Sequence, residues 1–215
     1  MTHESSFKLN KTIYLDSSPF IRAYNSNSKN KNLYPLITYN KFRQNPDKYI
    51  EFMNREFICP SDKQYYVKLL ELLESEILSH IITLNPYFFY SEKYTTKILK
   101  LFGSASEMYC VLCDKKFPVT TNLVCEGCNN ICRPNHIFID EEVSLKNYGD
   151  ASKILYNAKT LLIDSSFFTF LCTNSLADYI NSSCKKYILR DTATDNVNIS
   201  GVTVKATPTA FILSL

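Results

Sequence analysis

Glycine is scarce in this chain: only Gly103, Gly127, Gly149 and Gly201 occur among 215 residues. Glycine supplies positive φ angles and lets a backbone approach a ligand closely, so a cofactor site built on a glycine-rich turn is all but excluded. Long apolar runs are also missing. Even "TLLIDSSFFTFLC" is interrupted by Asp164, well short of the roughly 20 residues that a membrane helix needs. Charge is weak in either sense, with a formal net of +3 and 21% charged residues, so no strong field draws nucleic acid or anionic lipid. The opening "MTHESSFKLNK" has no apolar core of the signal-peptide kind. The expectation is an intracellular protein of the nucleus or cytoplasm, with no membrane partner.

What the chain does have is 45% hydrophobic residues, 15 tyrosines, 14 phenylalanines and eight cysteines. That is enough for one core of ordinary size. Cysteines at this density in an intracellular chain argue for metal or free thiols before disulfides. "KTIYLD" (11–16) reads as a buried strand closed by Ser17, Ser18 and Pro19, and the apolar-free "NSNSKNKN" (25–32) reads as a loop. Helical spacing over 45–57 places Tyr49, Phe52, Met53 and Glu56 on one face. A second helix opens at Ser61 and carries Tyr65, Leu69, Leu72, Leu73, Glu76 and Ile77. "SHIITLN" and "KILKLFG" are further short apolar pieces. After residue 150 the order helix then strand occurs twice, with strands at 160–164 and 187–189, before "VTVKATPTAFILSL" ends the chain. Strands alternating with helices predict an α/β layer fold on a mainly parallel sheet.

Cys110 and Cys113 form one CxxC and Cys125 and Cys128 form another, with eleven residues between them. Two such knuckles bring four soft thiolates within reach of one tetrahedral zinc ion. A closed four-sulfur set leaves no position for water, so this zinc would be structural. Gly127 is expected to ease the second knuckle, and Cys132 is a spare thiol. Such a ribbon could in principle touch nucleic acid, but Lys115, Lys116 and Arg133 are balanced by Asp114 and Glu126.

An α/β sheet with an inserted ribbon, followed by "CRPNHIFIDE", resembles the sirtuin family of NAD-dependent protein deacylases. Arg133, Pro134, Ile137, Phe138, Ile139 and Glu141 fit the family's pattern after the ribbon, with Asp140 in place of a glycine. "LYPLITYNKFRQNPDKYIEF" and "AKTLLIDSSFF" are similar to two further family stretches. The resemblance implies a single domain with helices on both faces of a Rossmann-like sheet. Residues 1–108 and 133–215 would form that part and 109–132 the zinc insert. It also implies an acyl-lysine peptide lying along the 136–141 edge.

The same resemblance locates departures. The family's Gly-Ala-Gly-Ile-Ser turn, which cradles a pyrophosphate, corresponds to Ser17, Ser18, Pro19, Phe20 and Ile21, where Pro19 removes a donor and Phe20 adds bulk. The family's Thr-Gln-Asn-Ile-Asp corresponds to Thr83, Leu84, Asn85, Pro86 and Tyr87, and its Gly-Thr-Ser to Asp164, Ser165 and Ser166. Asn85, Ser165 and Ser166 would be remnants of the cofactor site, although Asn85 also suits a turn before proline. Phe102, eight residues before Cys110, takes the place of the catalytic histidine of Leu-His-Gly. A phenyl ring accepts no proton. His80, His136, Cys172 and Cys184 offer no substitute in register. The expectation is a sirtuin-like pseudo-deacylase that binds or scaffolds and holds zinc but not NAD. The rivals are a divergent NAD-dependent deacetylase and a zinc-ribbon nucleic-acid binder.

Overall fold

The computed structural model describes residues 11–17, 38–49, 51, 60–86, 88, 91–118, 123–138, 140–169, 171–190 and 200–215. Six strands, β1 (Thr12–Asp16), β2 (His80–Thr83), β3 (Ile98–Lys100), β7 (Thr160–Asp164), β8 (Lys185–Arg190) and β9 (Val202–Lys205), form one sheet in the order β3-β2-β1-β7-β8-β9. All five pairings are parallel. Counted in chain order within the sheet this is 3-2-1-4-5-6, the doubly wound dinucleotide-fold order, whose direction reverses between β1 and β7.

Alternation along the central strands sends side chains into two separate cores. Ile13, Leu15, Leu161 and Ile163 face one, where α3 (Leu145–Tyr156) contributes Ala151 and Leu155 and α1 (Tyr39–Gln44) contributes Phe42. Tyr14 and Leu162 face the other, against Tyr65, Leu69, Leu72 and Leu73 of α2 (Pro60–Glu74) and Ile212 of α5 (Pro208–Ser214). Helices therefore cover both faces. Each fully buried leucine of the α2 stripe contributes roughly 2 kcal/mol.

Local chemistry sets the helix ends. Thr38 Oγ1 caps α1, Ser144 Oγ caps α3 and Thr207 Oγ1 caps α5, the last followed by Pro208 at the first helical position. The final apolar run "PTAFILS" is thus a helix. α2 stops at Glu74, and Glu76 turns into the left-handed region at φ 60°, so Glu76 and Ile77 fall past the helix, although Ile77 still packs against the same core as the stripe. Of the expected helix at 45–57, residues 46–49 and 51 are helical and 52–57 lie outside the described residues, as does the loop at 25–32.

β4 (Gly103–Cys110), β5 (Lys116–Pro118) and β6 (Cys132–His136) make a second, antiparallel sheet in the order β5-β4-β6. It has a small core of its own, from Met108, Cys110, Leu123, Cys125 and Cys132. Its long strands meet the main body where Gly103 pairs with His136. Among the described residues no helix is long and apolar enough to cross a membrane.

Candidate functional site

The point where strand order reverses in a doubly wound sheet is where ligands ordinarily bind. Here the C-terminal ends of β1 and β7 carry Asp16 and Asp164, both fully buried. Thr83 and Tyr65 donate hydroxyl protons to the two oxygens of Asp16, at 2.6 and 2.9 Å, and the Tyr65 hydroxyl also meets that of Tyr14 at 2.7 Å. Ser17 Oγ donates to Asp164 Oδ2 at 2.5 Å, and the Ser166 amide to Oδ1 at 3.0 Å. The strand ends are thus joined by acidic side chains whose oxygens accept from within the protein. Among the described residues, a phosphate brought here would meet two carboxyl groups.

Sequence reasoning set Pro19, Phe20 and Asp164 against the cofactor and did not foresee the part of Asp16. The signal was present as a repeat: "LDSS" at 15–18 and "IDSS" at 163–166 end two strands that prove to be neighbours. Ser165 and Ser166 are buried, and the Ser165 amide donates to Leu189 O at 3.1 Å. Asn85 is buried in a turn: its amide donates to Thr83 Oγ1 and its side-chain nitrogen to the Tyr66 hydroxyl, while its carbonyl accepts from Phe88. The expected blockage by Pro19 and Phe20, with Ser18 and Ile21, lies outside the described residues.

Phe102 is 5% exposed and belongs to the larger core. Its register is fixed by Gly103, which holds φ +82° and where a Cβ would lie 2.8 Å from the Asn135 carbonyl oxygen. Only glycine fits that approach without backbone movement. The Phe102 carbonyl accepts from the Ile137 amide at 2.8 Å, tying the tripeptide to the segment after β6.

The four predicted ligand cysteines converge. Their sulfurs all lie within 4.8 Å of one another, with Cys110 to Cys128 at 3.3 Å, Cys113 to Cys128 at 3.6 Å and Cys113 to Cys125 at 3.7 Å. Four sulfurs at about 2.3 Å from one tetrahedral ion would stand about 3.8 Å apart, close to this spacing. The two knuckles share one hydrogen-bond scheme. Cys110 O accepts from Asp114 N and Cys110 N donates to Lys115 O; Cys125 O accepts from Asn129 N and Cys125 N donates to Asn130 O. Asp114 and Asn129 each take φ 56°. The backbone freedom expected of Gly127 is therefore exercised one residue past each knuckle, by an Asp and an Asn, which tolerate that region.

Backbone amides also prepare the sulfurs. Burial raises the Cys110 thiol, but N–H donors from Cys113 and Leu112 outweigh it and bring the pKa down to about 6. Cys125 is lowered in the same way, against burial, by Gly127 and Cys128. Cys128 is drawn down by the Asn130 amide, yet its contact with Cys110 and its burial push it up to about 12. One sulfur of each knuckle is thus ready to ionise. Cys132 is buried in the small core and raised to about 11, chiefly by burial, as suits a thiol that holds no metal.

A third group was not foreseen. Arg133 is 5% exposed and forks onto Glu141 at 2.6 and 2.7 Å, with the Tyr39 and Phe138 rings each 4.6 Å from its guanidinium carbon. Glu141 also accepts from the Phe138 amide, and Asp140 from the Tyr39 amide. Burial opposes ionisation of Glu141, but the bond to Arg133 prevails and lowers its pKa. His136 is buried beside this group. Its Nδ1 donates to Ile137 O at 3.0 Å, leaving Nε2 to accept from the Tyr49 hydroxyl at 3.0 Å. Burial lowers its pKa to about 4, so the ring is neutral and held by the core.

No family model matches the sequence. The NAD-dependent protein deacetylase of Thermotoga maritima is 25% identical over 135 residues, covering 57% of this chain and 54% of that protein. The chain therefore spans about half the length of this curated relative. Solved Sir2 structures match over far more. One concerned with sirtuin substrate affinity shares 21% identity at a TM-score of 0.73, and a Sir2 mutant with a p53 peptide and NAD shares 20% at 0.74. Sir2 bound to an acetylated peptide shares 20% at 0.68. Each of these alignments covers 96% of this chain and 92% of the other. The fold of this chain, a six-stranded parallel sheet with a small cysteine-bearing antiparallel module, is the sirtuin fold.

Proposed function

We propose that this chain is a sirtuin-like pseudo-deacylase: a protein that keeps a structural zinc ribbon, lacks the deacylase chemistry and serves as a binding or scaffolding subunit inside the cell. The observation that carries this reading is Phe102, an apolar ring in the core at the position where the resemblance places the proton-accepting histidine. The buried Asp16 and Asp164 agree with it, because they stand where the cofactor's phosphates would need donors.

Cys110, Cys113, Cys125 and Cys128 would hold zinc within the insert 109–132 of a single domain, and a closed four-thiolate set would supply structure rather than catalysis. Relatives with peptides bound make the 136–141 edge the natural place for a protein or peptide partner. There Arg133 and Glu141 fix the backbone of Phe138.

The test is calorimetric titration of the zinc-loaded protein with NAD, together with an assay on an acetylated peptide. Neither NAD heat nor dinucleotide-dependent turnover is expected. Micromolar NAD binding with turnover would make the chain a divergent deacetylase. Nucleic-acid binding with a steep salt slope would instead support a zinc-ribbon nucleic-acid binder.

A further inference from the structure

At the end of the main sheet away from Asp16 and Asp164, about 13 Å further along the strands, a cavity of about 310 Å³ opens between β1, β2 and α3. Its lining is Lys11, Ile13, Ser79, His80, Lys153, Ile154 and Asn157. Two lysines and an imidazole thus line it with the Ser79 hydroxyl, which donates to Thr12 O, and the Asn157 amide, which donates to Lys153 O, and among the described residues no acidic side chain does. Lys153 has an ion pair with Asp150, but at 3.9 Å and with the lysine 79% exposed. Such a contact holds little energy, and the ammonium is available to a ligand. Lys11 sits at φ 65°, an uncommon region for a residue with a side chain.

The ligand's chemistry follows from these groups. Three nitrogens of positive or protonatable character suit a compact anion. Lysine delivers point charge from a flexible stem, whereas planar carboxylates are typically gripped by arginine forks; among the described residues no arginine lines the cavity. The volume is at the small end for organic ligands, and Ile13 and Ile154 give it an aliphatic wall. We infer that this cavity binds a small phosphate monoester, its phosphoryl oxygens on Lys11, Lys153 and His80 and its organic part against Ile13 and Ile154. The site is independent of the deacylase question, because it shares no residue with the strand-end network.

His80 supplies the readout. Burial first, and then the charge of Lys97, lower its pKa in the free protein. The charged groups to consider around it are Lys11, Lys153, Lys97 and Asp150. A bound dianion should reverse the shift, raising the His80 pKa by about one unit. The experiment follows the histidine ring signals by NMR while the zinc-loaded full chain is titrated with phenyl phosphate and, separately, with inorganic phosphate. His136, buried and bonded through both nitrogens, serves as an internal control.

Phenyl phosphate is expected to raise the His80 pKa and to bind several-fold tighter than inorganic phosphate. Lys11→Gln and Lys153→Gln, both at exposed positions, should each weaken it about tenfold. An unchanged His80 pKa, an equal shift from sodium chloride at matched ionic strength, or full affinity in both variants would overturn the site. Equal affinity for the two probes would overturn the ester assignment and leave free phosphate as the ligand.

Discussion

The cysteine module and the strand-end network differ in what holds them. The module has a core of five buried residues, two of them cysteines with lowered thiol pKa values, and two knuckles that repeat one hydrogen-bond scheme. Four of its sulfurs stand close enough together to hold one ion. The strand ends are the opposite case: Asp16 and Asp164 accept from Tyr65, Thr83, Ser17 and the Ser166 amide of the same chain. One region gathers thiols that could take an ion, and the other meets its polar groups from within the protein. The strand ends of a doubly wound sheet can thus be satisfied internally, while a small antiparallel module gathers thiols that suit a metal.

The contrast breaks most readily at the metal. Chelation, or Cys125→Ser, should remove several kcal/mol from the ribbon and lower the melting temperature sharply. Unaltered thermal unfolding in chelator would mean the four sulfurs are only packed together. Next in size is the junction between the regions. Glu141→Ala leaves the Arg133 guanidinium buried beside Tyr39 and Phe138 without its carboxylate, and should cost about 3 kcal/mol in urea unfolding. A cost near zero would show that the stacked rings suffice.

Acid sharpens the comparison further. His136 has a folded-state pKa of about 4 against 6.5 unperturbed, so the unfolded chain binds the extra proton between those values. Its contribution is complete above pH 6.5 and lost progressively towards pH 4, about 3 kcal/mol in all. Glu141, also lowered, acts in the same direction at lower pH. A His136→Gln variant should show a flatter fall in stability over that interval; identical slopes would remove His136 as the cause. Smallest is Asp164→Ala, which deprives the Ser17 hydroxyl and the Ser166 amide of their acceptor and should cost about 2 kcal/mol. It should not create NAD affinity, since Asp16 remains.

Much of this was legible from local pattern. The strand Thr160–Asp164 is where the apolar run and its flanking helix placed it, and the four cysteines meet as their spacing required. What was illegible depended on distant partners. Tyr65 reads as one apolar step of a helix stripe, and nothing local says that its hydroxyl will serve Asp16, 49 positions away. Arg133 and Glu141 were matched to a family pattern, but their ion pair depends on how the chain turns at Phe138. Gly127 was credited with a conformation that Asn129 adopts instead, because Asn tolerates positive φ almost as well as a residue without a side chain.

The setting of Phe102 bears on what one substitution there can do. Its ring is part of the main core and its neighbours Leu101 and Gly103 are held by sterics on either side. An imidazole placed in that core would give up hydration, at about 1–3 kcal/mol where no partner met it. A Phe102→His variant is therefore expected to lose stability whether or not it gains any chemistry.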